Sequence, residues 1–205
     1  MKLNALIGSG MAAVFALTLA ACGGGGNSGG EDVPTLRRGI SAKVDTLDPH
    51  KSSAQWENIV IGDMFIGLTT DGPDARPQPG MATHWETSED GLVWTFHLGD
   101  YNWSDGTPVT ANDFVFALRR IQAPEVASQY ASLLYLIKNA SKVNATELPP
   151  EELGVRAIDD KTLEITLEYP APYLPGLLSH YTTFPVPSQA IETYGDAWIQ
   201  PDNIV

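Results

Sequence analysis

The side chains of this 205-residue chain that could do chemistry are four histidines (His50, His84, His97 and His180), the single cysteine Cys22, and the carboxylate pairs Glu151-Glu152 and Asp159-Asp160. The histidines are scattered without metal-ligand spacing, and each is expected at the surface or at a cap. The carboxylate pairs fall in polar turns, where solvation keeps them ordinary acids. There is no GxSxG elbow, Walker loop, dinucleotide fingerprint or HExxH, so the motif chemistry of the common enzymes is missing. Residues 23–26 are four glycines, but no strand precedes them and no lysine follows to hold a phosphate. The chain is therefore read as not an enzyme, with no metal site and no cofactor. Five tryptophans, Trp56, Trp85, Trp94, Trp103 and Trp198, could stack against a ligand. Most lie on apolar stripes, so packing in the core is the expected role.

Cys22 has a different context. One lysine, Lys2, is followed by a run free of ionisable groups from residue 5 to residue 21, interrupted at Gly8, Ser9 and Gly10. That is too short and too broken for a comfortable membrane span, and it has the order of a secretory signal peptide over residues 1–21. Leu19-Ala20-Ala21-Cys22 resembles the lipobox of bacterial lipoproteins, which implies that the cysteine is lipidated and is the first mature residue. Residues 22–34 then read as a Gly-rich flexible tether, spanning on the order of 20 Å. Removing residues 1–21 takes away only Lys2 among the charged side chains, so the net charge of −13 becomes −14. Such acidity argues against nucleic acid as a partner, because phosphate binding needs a basic patch.

The elements that must position any site begin after Pro34. Residues 35–41 read as a first strand, and Leu47-Asp48-Pro49-His50 as the turn that ends it. Trp56, Ile59, Val60, Met64 and Leu68 recur at helical spacing, with Ser52 and Gln55 placed as a capping box. Residues 72–80 hold too many prolines for regular structure. Residues 84–87 and 92–98 flank Ser88-Glu89-Asp90-Gly91 as a hairpin, in which Leu92, Trp94, Phe96 and Leu98 share one face. Ser104-Asp105-Gly106 is a tight turn, and Thr110 with Asp113 opens a helix whose stripe is Phe114, Ala117, Leu118 and Ile121. Pro124 ends that helix and is expected to start a second one carrying Tyr130, Leu133, Leu134 and Ile137. Residues 154–158 and 162–168 form another hairpin, and a last helix starts at Ser188. Interspersed hairpins and helices make the fold class α+β, with mixed sheets and packed helices.

"TLDPHK", "DGLVWTFHLGD", "WSDGTPVTANDFVFALRRI", "YASLL", "LGVRAIDDKTLEITLEYPAPYLPGLLSH" and "YGDAWIQPDNIV" are similar to the N-terminal part of the oligopeptide-binding proteins, solute receptors of ABC importers. The resemblance runs from about residue 36 to residue 205. It implies a periplasmic-binding-protein-like lobe, incomplete relative to a two-lobed fold, with residues 35–205 as the first lobe plus an inserted small domain. It implies capture of an extended peptide, held as an added strand, for an ABC permease in the inner membrane, on the periplasmic side of a bacterial membrane to which Cys22 anchors the chain. By the same resemblance Ser52, Ser53, Ala54 and Gln55 make strand-like contacts to the ligand, and Tyr130 lies against it. Ser53 stands where the family has an acidic residue, and Glu57, one helical turn on, is the candidate replacement. The aspartate that holds the peptide amine in the family lies beyond residue 205. The expectation is therefore a truncated chain that binds poorly alone and exposes apolar surface; the alternative is a one-lobe lipoprotein that serves as a docking module without ligand capture.

Overall fold

The computed structural model describes residues 37–205. The expected signal peptide, Cys22 and the expected tether lie outside the described residues. Of the strand expected over residues 35–41, residues 37–41 carry none; they are exposed and pair with no strand among the described residues.

Helix α1 spans Gln55–Met64. It buries Glu57 and Ile61, one turn apart, and not the expected stripe. Met64 is exposed, and Leu68, although buried, lies past the end of the helix. The capping box also shifts: Ala54 is the N-cap, and the Glu57 carboxylate, not Gln55, accepts from its N–H. Strands β1 (Thr69–Asp71) and β2 (Pro77–Pro79) then pair antiparallel, where the prolines had argued against regular structure. Gly80 N–H donates to Leu68 C=O and Gly72 N–H to Arg76 C=O. Hydrogen bonds therefore fall on even-numbered positions, and Pro77 and Pro79 occupy the places between, where no donor is needed.

Strands β3 (Ala82–Thr87) and β4 (Val93–Leu98) form the first expected hairpin. Helix α2 (Ala111–Gln122) follows, its start fixed by Asp113, whose carboxylate accepts from Thr110 N–H at 2.8 Å and from the Thr110 hydroxyl at 3.1 Å. The predicted stripe of Phe114, Ala117, Leu118 and Ile121 is buried throughout. The expected second helix is not continuous. Short 3₁₀ turns at Pro124–Val126 and Ala131–Leu134 replace it, and helix α3 starts only at Ala140–Asn144. Ala127 at φ 52° and Asn139 at φ 66° interrupt the path, and neither can sit inside a right-handed helix,.

Strands β5 (Val155–Asp159) and β6 (Thr162–Thr166) complete a four-stranded antiparallel sheet of order β3-β4-β6-β5. Helices α4 (Leu174–Leu177) and α5 (Ser188–Tyr194) and a 3₁₀ turn at Gly195–Ile199 end the chain. One face of the sheet, carrying Trp94, Phe96, Leu163 and Ile165, packs under Phe114, Leu118 and Ile121 of α2 as the main core. Each of these large side chains contributes about 1.5 to 3 kcal/mol by leaving water. Ala117, on another side of α2, packs with Val186, Ala190 and Trp198 in a second cluster. A third unites Ile61, Tyr181 and Phe184, with Leu47, Phe65 and Tyr130 against it. This third cluster backs the site described next. Among the described residues no helix is long and apolar enough to cross a membrane.

Candidate functional site

A turn forms one residue on from the expected Leu47-Asp48-Pro49-His50, with Asp48 C=O accepting from Lys51 N–H at 3.1 Å and Ser52 N–H at 3.0 Å, and no strand precedes it among the described residues. Sequence spacing gives no sign of what holds it. Arg120, in the last turn of α2, donates to both Asp48 carboxylate oxygens, at 3.0 and 2.6 Å, and its Nη1 also donates to His50 Nδ1 at 2.8 Å. The side chains of Arg120 and Asp48 are only 9% and 3% exposed. Trp198 Nε1 adds a bond to Asp48 Oδ2 at 3.3 Å, and the carboxylate also accepts from His50 N–H at 3.0 Å.

These contacts decide protonation. A guanidinium can only donate, so His50 Nδ1 is an acceptor and the ring proton sits on Nε2, which donates to Phe184 C=O at 3.3 Å,. Burial, reinforced by the adjacent Arg120 charge, pushes the His50 pKa down to about 4. Burial alone would raise Asp48, but the Arg120 hydrogen bond and charge outweigh it and hold the carboxyl below its usual range. His50 was expected at the surface or at a cap, and it is instead a neutral ring inside a buried ion pair.

Beyond this turn three residues without regular structure lead to α1, the last of them, Ala54, in an extended conformation at φ −94° and ψ 138°. Ser52 is buried: its hydroxyl donates to Glu57 Oε2 at 2.9 Å, and its carbonyl accepts from the Tyr181 hydroxyl at 3.3 Å. Ser53 is exposed, and its side chain accepts from Gln129 Nε2 at 3.3 Å. Its backbone N–H and C=O have no hydrogen-bond partner among the described residues. Ala54 is half-buried and Gln55 exposed. Glu57 is buried, and its carboxylate accepts from Asp45, Thr46 and Ala54 N–H and from Ser52 Oγ. Those hydrogen bonds outweigh its burial and hold its pKa below the ordinary value. Glu57 is thus committed to the fold by these hydrogen bonds and is not free to serve as the candidate replacement at Ser53.

Tyr130 stands beside this edge. Its ring meets Tyr181 edge-on at 5.9 Å and His180 at 5.2 Å, and His180 lies over Tyr181 at 4.3 Å. Burial lowers the His180 pKa, against the opposing pull of Asp71, and burial raises that of Tyr181. His180 Nδ1 accepts from Thr182 N–H, so this histidine does cap a turn. The structure therefore gathers Ser52, Ser53, Ala54, Gln55 and Tyr130 at one place, although 75 residues or more of sequence separate Tyr130 from the others. His180 and Tyr181 were not read as site residues. The other two histidines, His84 and His97, stack on each other at 4.3 Å on the sheet. No three His, Cys, Asp or Glu side chains cluster as a metal set among the described residues. A cavity of about 600 Å³ lined by Met64, Phe65, Met81, Trp103 and Val109 contains none of the site residues; the edge at Ser53 is open surface.

Residues 76–205 match the family profile described as "Bacterial extracellular solute-binding proteins, family 5 Middle". The chain belongs to that family. The periplasmic oligopeptide-binding protein OppA of Salmonella typhimurium is 46% identical over 177 residues, which cover 85% of this chain and 32% of that protein. The OppA structure from Burkholderia pseudomallei superposes with a TM-score of 0.77 at 39% identity, covering 80% of this chain and 33% of that one. A further relative, the probable deoxycholate-binding periplasmic protein YgiS of Escherichia coli, is 40% identical over 163 residues, 78% of this chain and 30% of that protein. The chain thus spans about a third of the length of the relatives it matches. Their likeness establishes the α+β periplasmic binding-protein architecture for the described part, and it makes this chain a relative of solute-binding proteins.

Proposed function

We propose that this chain is the N-terminal portion of an extracytoplasmic solute-binding lipoprotein that captures peptides for an ABC importer. In this reading residues 1–21 are the export signal, Cys22 carries the lipid that tethers the protein at the periplasmic side of a bacterial membrane, residues 22–34 are the tether, and residues 35–205 hold the first lobe with its inserted small domain. The observation that carries the reading is the backbone of Ser53, unpaired among the described residues and exposed between buried Ser52 and helix α1, with its side chain bonded to Gln129, the neighbour of Tyr130. A peptide laid along it as an added strand would exchange main-chain hydrogen bonds with Ser53 and rest its side chains on Tyr130, a mode that grips the backbone and tolerates many sequences. Ser53, in place of an acidic side chain, offers a hydroxyl and no charge to a peptide cation.

Tryptophan fluorescence tests the reading, because Trp56 lies on α1 close by and Trp198 is bonded to Asp48. Titration of the purified chain with a mixture of short peptides gives a saturable change if it captures them. A saturable response to deoxycholate but not to peptides would move the ligand class to bile-acid-like amphiphiles, and silence toward both would favour the docking module.

A further inference from the structure

We infer that Arg120 is a positioning residue for ligand capture: its guanidinium, clamped on Asp48 and His50, holds the Ser52–Ser53 edge where a peptide strand can pair with it. The inference rests on the peptide-capture reading and assigns the part of the molecule that makes its edge stable.

Ser52 to Ala54 have no regular structure, so their position depends on the groups that anchor each end. On the C-terminal side the anchor is local, since Glu57 of α1 accepts from Ala54 N–H and from the Ser52 hydroxyl. On the N-terminal side Ser52 and Lys51 hang by their N–H groups on the Asp48 carbonyl. Whatever fixes Asp48 therefore fixes the N–H side of Ser52, while the Tyr181 hydroxyl holds its carbonyl. The carboxylate of Asp48 meets Arg120 through two parallel bonds, and the same guanidinium closes on His50, so one side chain orients both polar members of the turn,. Arg120 sits on α2, whose other faces are packed into the main core and the second cluster. The edge is thereby referred to a helix packed into two apolar clusters, with Trp198 as a second and weaker tie.

Stability alone does not account for the arrangement, because a buried ion pair roughly breaks even against apolar residues of the same size. What it supplies is a fixed direction. A strand-pairing site needs its N–H and C=O held in place, and an edge that is competent only part of the time has its apparent affinity reduced by that fraction. Lysine at 120 would keep the charge but not the fork that spans Asp48 and His50.

The test compares wild type, Arg120→Met, Arg120→Lys and, as a remote control, Arg156→Met, whose ion pair with Glu164 is exposed on the sheet. Two quantities are measured on the full chain: amide hydrogen exchange by NMR and the affinity for trialanine. The expected result is exchange at the Lys51 and Ser52 amides faster by about tenfold or more in Arg120→Met, with β4 and β6 amides unchanged, together with a comparable loss of affinity. Arg120→Lys is expected to fall between it and wild type, and Arg156→Met to match wild type in both. Uniformly faster exchange across β4, β6 and the turn would make Arg120 merely structural and overturn the inference. So would unchanged exchange at Lys51 and Ser52 in a folded Arg120→Lys, or faster exchange there with affinity intact. If wild type shows no saturable trialanine binding, the capture reading fails, and the exchange pattern by itself then decides whether Arg120 holds the edge.

Discussion

A proton added to His50 would place a second cation 2.8 Å from the Arg120 guanidinium and remove the lone pair that accepts from it. The folded protein therefore keeps this ring neutral down to about pH 4, whereas the unfolded chain protonates it near the ordinary value of 6.5. Between those values the unfolded state binds more protons, so stability is full above pH 6.5 and is lost as the pH falls. The loss from this one group reaches about 3 kcal/mol at pH 4. His180, also lowered by burial, acts with the same sign, and Asp48 and Glu57 extend the loss below their ordinary pKa values. Urea midpoints measured from pH 7.5 to pH 4 should fall along this course. His50→Gln, which keeps an acceptor for Arg120 and a donor for Phe184 C=O, should flatten much of the slope, and an unaltered slope would show that His50 is not its source. None of this was legible in the sequence: Asp48 and Arg120 are polar residues 72 positions apart, and no local pattern announces that two such residues will be buried together. The Ser52–Gln55 and Tyr130 positions are proposed only through resemblance, because an exposed serine and a half-buried tyrosine have no periodic signature.

Local chemistry made the elements around the site far easier to read. Helix α2 and the β3-β4 and β5-β6 hairpins appear where alternation, capping residues and turn residues agree. Their apolar faces then find each other, which is why Phe114, Leu118 and Phe96 meet in one core. Phe114 is fully buried there, so Phe114→Ala should cost about 3 to 5 kcal/mol in urea unfolding through lost burial and the cavity left behind,. A change below 1 kcal/mol would mean that α2 does not close over the sheet as described. Failures of reading also have physical causes. The stretch after Pro124 looked helical by spacing, but Ala127 and Asn139 take positive φ, a tertiary demand that spacing does not encode. The stripe expected on α1 was misread because the helix buries an acid, Glu57, to secure the preceding backbone. The prolines of β2 have the sequence signature of breakers, although in this register they need no donor.

At the scale of the whole molecule, three apolar clusters divide the labour. The largest builds the sheet and α2, the second ties α2 to α5 and Trp198, and the third backs the Ser52–Tyr130 surface. The described chain thus presents an exposed edge backed by packed side chains, and membership of the solute-binding family gives that edge its proposed use. The most direct test is isothermal titration of the purified chain with trialanine and with trialanine N-methylated at its backbone amides, which retains the side chains but removes the donors a strand needs. Saturable heat with the first and its loss with the second is the predicted result. Equal binding of both, or binding of neither, would contradict capture through main-chain pairing at Ser53.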